Sequence, residues 1–386
     1  MKNPENLSKR ILFVSTMASV SWGGSEELWS QTALALRLEG YDIHCIVYDW
    51  SVNHKAISLL GKYGVIIHSI AHEKKWIARQ FSKTVNLIHG GKYQEWETGI
   101  LKMIRPDLVV ISQGYIYDGL RWCHSCKKSK INYCVIVHSN SHHWWPEDHQ
   151  LYEMRKCYLE AVRCFFVSKS NKEMLERQLG VSLNRSDVVV NPWSPTIDGY
   201  VPWPDKVSKF DIACVARLDP RAKGQDLLIE ILSMPQWRDR ELYINFYGDG
   251  PCRLGLEAMS RHLHVSKIRF MGYSQSIREI WSHNQLLVLP SRFEGLPIVI
   301  VEAMLSGRPV VTTDVAGNLS YLDDNISGFV AHSPTVDCLN EAMNRAWSRR
   351  NEWREMGITA RRNIVKALPS YPISRFCEQV ARLVIA

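Results

Sequence analysis

The sequence predicts an α/β protein of two doubly wound domains, and three observations carry that expectation. Short aliphatic runs recur along the chain, each followed by loop residues and an amphipathic stretch; the run at 286–289 is apolar on both faces, as in a buried parallel strand. At 386 residues the chain is too long for one small core and suits two domains of ordinary size. Glycine-bearing loops follow the runs at 11–14 and 243–248, at the sheet edge where open parallel sheets bind ligands.

Taken in order, residues 11–14 form the first strand and lead into Ser21-Trp22-Gly23-Gly24-Ser25-Glu26-Glu27, then a helix that Gly40 ends. Gly23 and Gly24 sit where backbone must turn sharply or approach a ligand. They are not the Gly-x-Gly-x-x-Gly dinucleotide fingerprint, which argues against an oxidoreductase. Further strands are expected at 43–47, 64–68, 106–112, 133–138 and 162–168, while 72–102 yields only a helix. His138 closes Cys-Val-Ile-Val-His at the carboxyl edge of its strand. The segment after it is dense in His and Trp. Its His142 and His143 lack a further ligand at helical spacing, whereas Trp144 or Trp145 suits stacking on a sugar ring as well as packing. A helix follows from 168 to about 179, and 200–209, with Pro202 and Pro204, reads as the linker. The domains are therefore expected at 1–200 and 201–372, with the helix 373–386 returning to the first through Phe376, Val380, Leu383 and Val384.

The second domain opens with a strand at 210–215 and a loop carrying Arg217 and Lys223 before a helix. Two cations beside a helix start suit a diphosphate, arginine as a fixed fork and lysine as a mobile point charge. Solvated loop cations are the plainer alternative. Strands at 243–248 and 268–272 lead to the informative stretch, 286–307. There an apolar strand stops at Pro290, a polar loop spans 291–295, and an apolar segment runs to Gly307. With a helix from about 297, its start offers unpaired amides and partial positive charge to a phosphate. Gly295 clears the approach, Leu296 supplies backbone, and Pro297 fits the first turn. Glu294 lies in the loop and Glu302 inside the otherwise uncharged helix, where a carboxylate needs a partner or water. An ordinary strand-loop-helix unit with Glu302 facing solvent is the alternative.

Composition narrows the function classes. A net charge of +8, spread over both halves, favours anionic partners, and no basic arm points to nucleic acid. Ten scattered cysteines read as buried thiols of a reducing compartment. Cys123 and Cys126 form one Cys-x2-Cys pair with no second pair to complete a zinc site. No apolar run approaches 18 residues, and 11–20 is too polar for a signal sequence, so a cytoplasmic protein is expected.

Glu294 and Glu302, with seven residues between them and followed by Ala-Met and then Gly-Arg-Pro-Val-Val, resemble the Glu-x7-Glu signature of retaining glycosyltransferase family 4, whose members have the GT-B fold of two Rossmann-like domains facing a cleft. Other segments are similar to the family too. These are the Gly23-Gly24 loop, His138, Asn191-Pro192, Arg217 with Lys223, Gly248-Asp249-Gly250-Pro251 and Gly328-Phe329-Val330. The chain departs at Ser139, where an aspartate is common, and at Ala216, where glycine is usual; it is also one residue longer between the two cations, so Arg221 is the weaker alternative to Lys223.

The resemblance implies metal-independent transfer of a sugar from a nucleotide diphosphate sugar, with UDP-glucose the preferred donor because it is common in the family, to a saccharide or lipid-linked saccharide in polysaccharide synthesis. No cofactor is expected. On that basis Arg217 and Lys223 hold the diphosphate, Glu294 the donor sugar and Glu302 the ribose. Tyr273 meets the base, His138 contacts the sugar, and Gly23 and Gly24 face the leaving phosphate. Peripheral contact with a membrane surface is compatible, although the final helix offers only Arg375 and Arg382 for it. A nucleotide-sugar hydrolase or epimerase of the same fold, or a non-catalytic nucleotide-sugar module, would share the phosphate site.

Overall fold

The computed structural model describes residues 9–17, 22–70, 96–193, 201–204, 209–274 and 276–385. Most of 72–102 therefore lies outside the described residues, and its part from 96 to 104 is helical, as expected. The chain divides into two compact units, Met1–Pro192 with Ser370–Ala386, and Trp193–Pro369.

The first unit holds seven strands, β1 (Arg10–Ser15), β2 (Asp42–Tyr48), β3 (Ile66–Ile70), β4 (Leu108–Gln113), β5 (Asn132–Val137), β6 (Arg163–Phe166) and β7 (Ser186–Val188). They pair in the order β3-β2-β1-β4-β5-β6-β7, all parallel. Burial on both faces explains the near-continuous apolar runs of β1 and β4. The helices are α1 (Gly24–Glu39), α2 (Lys55–Lys62), α3 (Leu120–Ser129), α4 (Asp148–Glu160) and α5 (Lys169–Leu179). The last helix, Pro372–Ile385, buries Phe376, Cys377, Val380 and Val384 in the cluster that contains Ile11, Phe13 and Leu28, and Phe376 meets Phe165 edge-on at 4.9 Å.

Two readings change here. β7 is a three-residue edge strand, Ser-Asp-Val, with no apolar run to announce it. Cys123 is joined to Cys157 in a disulfide across α3 and α4, their Cα atoms 5.7 Å apart, so these two are not free thiols. The other eight remain thiols.

The second unit has six strands, β8 (Phe210–Val215), β9 (Leu242–Tyr247), β10 (Ile268–Gly272), β11 (Leu286–Leu289), β12 (Val310–Thr313) and β13 (Gly328–Ala331). Their order is β10-β9-β8-β11-β12-β13, again all parallel. The helices used below are α6 (Pro220–Lys223), α7 (Gln225–Ser233), α8 (Arg253–His262), α9 (Ile277–His283), α10 (Ile298–Leu305), α11 (Val336–Ser348) and α12 (Trp353–Ala367). One face of the sheet packs α7 and α11 around Trp237, Phe246 and Phe329, the other packs α10 and α12 around Trp281, Met304 and Ile364. Arg308 is fully buried, and its guanidinium donates to the carbonyls of Asn284 (2.8 Å), Ser306 (2.7 Å), Val201 (3.2 Å), Pro202 (2.7 Å) and Trp281. These bonds, each to a neutral carbonyl, pin 201–202 to this unit.

Strand order reverses between β1 and β4 in the first sheet and between β8 and β11 in the second. At such a point the loops leaving neighbouring strands diverge and open a crevice. In the second unit the approach is so close that Gly224, held at φ +66°, has no room for a side chain: a Cβ there would lie 2.0 Å from the Pro290 carbonyl oxygen. We expect Gly224→Ala to lower stability by about 3 kcal/mol, from the left-handed backbone and the clash together. Urea unfolding measures this, and an unchanged midpoint would mean the two loops do not meet.

Candidate functional site

In the second unit, β8 delivers Ala216 to Asp219 and then the single turn α6, while β11 delivers Ser291 to Leu296 and then α10. The two loops are bonded together. The Arg292 amide donates to the Ala222 carbonyl at 2.8 Å, and its guanidinium takes both oxygens of Asp226 at 2.6 and 2.7 Å and the Pro220 carbonyl at 2.6 Å. The end of β12 and the loop after it add the Thr313 hydroxyl on the Ser291 carbonyl (2.5 Å) and the Gly317 amide on the Gly295 carbonyl (2.8 Å).

This frame brings Lys223 to Glu294, Nζ to Oε1 at 2.5 Å, and the Ser291 hydroxyl donates to the same oxygen at 2.7 Å. Glu294 is buried and the Lys223 side chain is one quarter exposed, so the ammonium stands at the rim of a closed floor. Arg217 pairs with Asp219 at 3.0 Å, and Arg221 takes the other oxygen of that carboxylate, also at 3.0 Å. Arg221 is 78% exposed in its side chain, against 26% for Arg217. Lys223 and Arg217 therefore line the loop floor and Arg221 points outward.

α10 begins at Ile298 with Pro297 as its cap and no side chain bonded to its first amides, and it carries no acidic residue in its first turn. Leu296 is buried just before it, and Glu302 is buried in its middle. Tyr273 follows β10, is 74% exposed, and stands at a groove of about 780 Å³ shared with Asn245, Tyr247, Arg269 and His283. Sequence reasoning missed Ser291 and Asp219. A serine or an aspartate in a polar loop carries no signal until the partner it orients is known.

The first unit gathers a different set at the carboxyl edge of its sheet. Gly23 caps α1 in an extended conformation and Gly24 is the first helical residue. Glu26, in the first turn, is buried and accepts from the Ser15 hydroxyl (2.8 Å) and the Trp29 indole (2.9 Å). Burial raises its carboxyl from 4.5 to about 7, against the lowering effect of those bonds. Asp118 behaves alike: burial lifts it to about 7, although it accepts the amides of Gly114 (3.1 Å) and Tyr115 (3.0 Å). His138 is buried with Nε2 3.1 Å from the Ser112 hydroxyl, and burial drives its imidazole down to about 3, so it is neutral at physiological pH. Trp144 packs edge-on against Tyr115 at 4.6 Å, while Trp145 is 60% exposed. Of the two tryptophans, then, Trp144 packs and Trp145 remains open. Among the described residues, no group of three or more His, Cys, Asp or Glu side chains is placed to hold a metal ion, and no helix is long and apolar enough to cross a membrane.

The two doubly wound units define a GT-B fold. Its likeness to solved structures runs the length of the chain. Sucrose-phosphate synthase from Thermosynechococcus elongatus superposes with a TM-score of 0.74 over 98% of this chain and 99% of that one, at 16% identity. The Anabaena protein HepE in complex with UDP-glucose gives 0.70 over 97% and 99%, at 17% identity. Within that fold, residues 209–349 match the family described as glycosyl transferases group 1, the part of the second unit that contains Arg217, Lys223, Glu294 and Glu302. Poly(ribitol-phosphate) alpha-N-acetylglucosaminyltransferase of Staphylococcus aureus is 26% identical over 154 residues, which is 39% of this chain and 31% of that protein. The chain thus spans about a third of the length of this curated relative.

The neutral carboxyl of Glu26 has a measurable consequence. Between pH 4.5 and about 7 the folded state holds a proton on Glu26 that the unfolded chain has released, so stability falls as pH rises through that window. Glu26→Gln keeps an acceptor for Ser15 and Trp29 without the charge. The variant should match the parent near pH 4 and exceed it at pH 8 by roughly 3 kcal/mol in urea unfolding. Parallel pH profiles for the two proteins would show that Glu26 ionises freely.

Proposed function

We propose that the protein is a retaining glycosyltransferase that moves glucose from UDP-glucose to a saccharide or lipid-linked saccharide acceptor. The observation that carries this reading is the Lys223, Glu294 and Ser291 cluster beside Arg217 and the start of α10, within the stretch matching glycosyl transferases group 1. A nucleotide diphosphate sugar presents two phosphates, a ribose and a sugar. The cluster offers two cations, uncapped helix amides and a buried carboxylate at the divergence of β8 and β11. The UDP-glucose held by the Anabaena neighbour supports the choice of donor.

On this reading Lys223 and Arg217 take the diphosphate, with the amides after Gly295 and Leu296 completing the cradle. Lys223 has three N–H donors and gives one to Glu294, so it fixes that carboxylate toward the donor sugar while it binds phosphate. Glu302 holds the ribose hydroxyls and Tyr273 lies against the base. In the first unit, Gly23 and Gly24 keep the start of α1 free of bulky side chains, and neutral His138 offers a hydrogen-bonding edge suited to a sugar hydroxyl. The first unit is the acceptor domain, and Trp145 offers it an open aromatic face.

The chemical step breaks the bond between the anomeric carbon and the diphosphate oxygen. Negative charge grows on the leaving group, and fixed cations and dipoles stabilise it without reorganising. A diphosphate oxygen accepts the acceptor's hydroxyl proton as the acceptor oxygen joins the same face of the sugar. No protein nucleophile is required, no metal takes part, and the α configuration is kept.

A panel of nucleotide sugars read by thermal shift tests the donor, since a ligand of the folded state raises the melting temperature. UDP-glucose is expected to shift it most, and a shift confined to other nucleotides would replace the donor. With the donor fixed, Lys223→Ala should lower turnover roughly 100-fold, about 3 kcal/mol of transition-state stabilisation, in a folded protein. Wild-type turnover in that variant would remove the clamp. Glu302→Ala should instead weaken binding of free UDP in calorimetry, and unchanged affinity would return Glu302 to a packing role.

Stereochemistry is the sharpest test of mechanism. Fresh product from UDP-glucose should show the small anomeric proton coupling of an α-glucoside by NMR, at the same rate with EDTA present. A large β-type coupling would mean inversion, which needs a general base opposite the leaving group and would withdraw the role of Glu294.

A further inference from the structure

A surface far from any of these chemical groups in sequence stands out on α12 (Trp353–Ala367). Trp353, Met356, Gly357, Ala360 and Ile364 bury one face of this helix. The opposite face should be polar throughout, yet it carries Ile358 at 40% exposure and Val365 at 56%. At 3.6 residues per turn these two fall within about 20° of each other and about 130° around the helix from the middle of the buried stripe. Arg354 and Arg361 flank them on one side and Arg362 and Lys366 on the other, all within an arc of about 140°. Only Glu355 opposes this charge on the same arc.

The cations are largely uncommitted. Arg361 donates to the Leu305 carbonyl at 2.7 Å. Arg354, Arg362 and Lys366 make no ion pair with any described residue and are exposed. This contrasts with the neighbouring helix α11 and the turn after it, where Arg345 pairs with Asp324 and Glu341 and Arg349 with Glu352. An apolar centre with basic flanks is the pattern by which a helix lies flat on an anionic bilayer, β-branched side chains entering the acyl boundary and long cationic chains reaching outward to headgroups.

We propose that the exposed face of α12 docks the second unit on an anionic membrane surface. Charge complementarity selects this occupant: four cations against one acid suit a field of anionic headgroups, and the two apolar side chains are too few and too widely flanked by charge to form a dry interface between copies of the chain. The final helix, with Arg375 and Arg382, is not needed for it. The surface shares no residue with the proposed donor site, so membrane binding and sugar transfer can fail separately.

Cosedimentation of the full chain with vesicles tests this. Binding is expected to vesicles of 30% phosphatidylglycerol in phosphatidylcholine, to be far weaker with phosphatidylcholine alone, and to fall as salt rises from 50 to 500 mM. Each cation contributes about fivefold, so the triple variant Arg354→Ala, Arg362→Ala, Lys366→Ala should lose about 100-fold in partitioning. Ile358→Ser with Val365→Ser should also weaken binding while leaving the salt dependence in place. Both variants alter exposed side chains, and an unchanged circular dichroism melt confirms that they fold. Equal binding of the parent and the triple variant would overturn the proposal, as would no binding to anionic vesicles. A parent dimer in light scattering that Ile358→Ser with Val365→Ser dissolves would assign the face to self-association instead.

Discussion

The structure of the second unit depends on how closely two loops approach where β8 and β11 lie side by side. Parallel strands that share a hydrogen-bond ladder send their following loops out of the same sheet edge, and helices on opposite faces pull those loops apart again. Between these demands the chain has almost no slack. Gly224 rests on the Pro290 carbonyl, the Arg292 amide reaches across to Ala222, and the Arg292 side chain closes the gap on Asp226. Lys223 precedes that glycine directly, so the backbone contact sets where its ammonium can go. The position of the Lys223 and Glu294 pair is thus a consequence of packing before it is a matter of charge.

Glu294 in the second unit and the two carboxyls Glu26 and Asp118 in the first meet burial in opposite ways, although the first unit also pairs a buried carboxylate with a cation, Glu97 with Arg121 at 2.8 Å. Glu294 is buried with a lysine and a hydroxyl on one oxygen, a charged donor that offsets the loss of water. Glu26 and Asp118 are buried with only neutral donors, namely hydroxyl, indole and backbone amide. Neutral donors do not outweigh desolvation, so both carboxyls move up to about 7. His138 follows the same rule with the opposite sign. Glu26, Asp118 and His138 thus lean toward their uncharged forms, which can both donate and accept, while Glu294 is held beside a cation.

This difference also explains what was legible in the sequence. The parallel strands were readable because double burial forces unbroken aliphatic runs, as at 108–113 and 286–289, and β7 was not, because an edge strand of Ser-Asp-Val needs no such run. The strand expected at 64–68 starts two residues later since Gly64, at φ +80°, belongs to the preceding turn. Arg217, Lys223, Glu294 and Glu302 stood out in the sequence because two cations in a loop before a helix, and carboxylates beside or inside an apolar run, are conspicuous. Ser291, Asp219 and Asp118 were not, because their significance lies in a partner distant in sequence or in burial that only the folded chain produces. Likewise the disulfide joins Cys123 to Cys157, 34 residues away, rather than to its visible neighbour Cys126.

Arg308 shows why such reading has a limit even within a strong motif. In the sequence it looks like one more cation beside a candidate phosphate site, the fourth residue after the Ala-Met that follows Glu302. In the fold it is fully buried and all of its mapped hydrogen bonds run to carbonyl oxygens, two of them on residues 201 and 202. A guanidinium committed to main-chain acceptors is positioned by them in a fixed fork, which suits a clasp and leaves no donor to swing toward a ligand. Lys223, on a flexible stem with one bond made, has the opposite character. Both are cations near the same helix; burial and the nature of their acceptors, neither of which a sequence states, separate the one that clasps main-chain carbonyls from the one that keeps donors open at the rim.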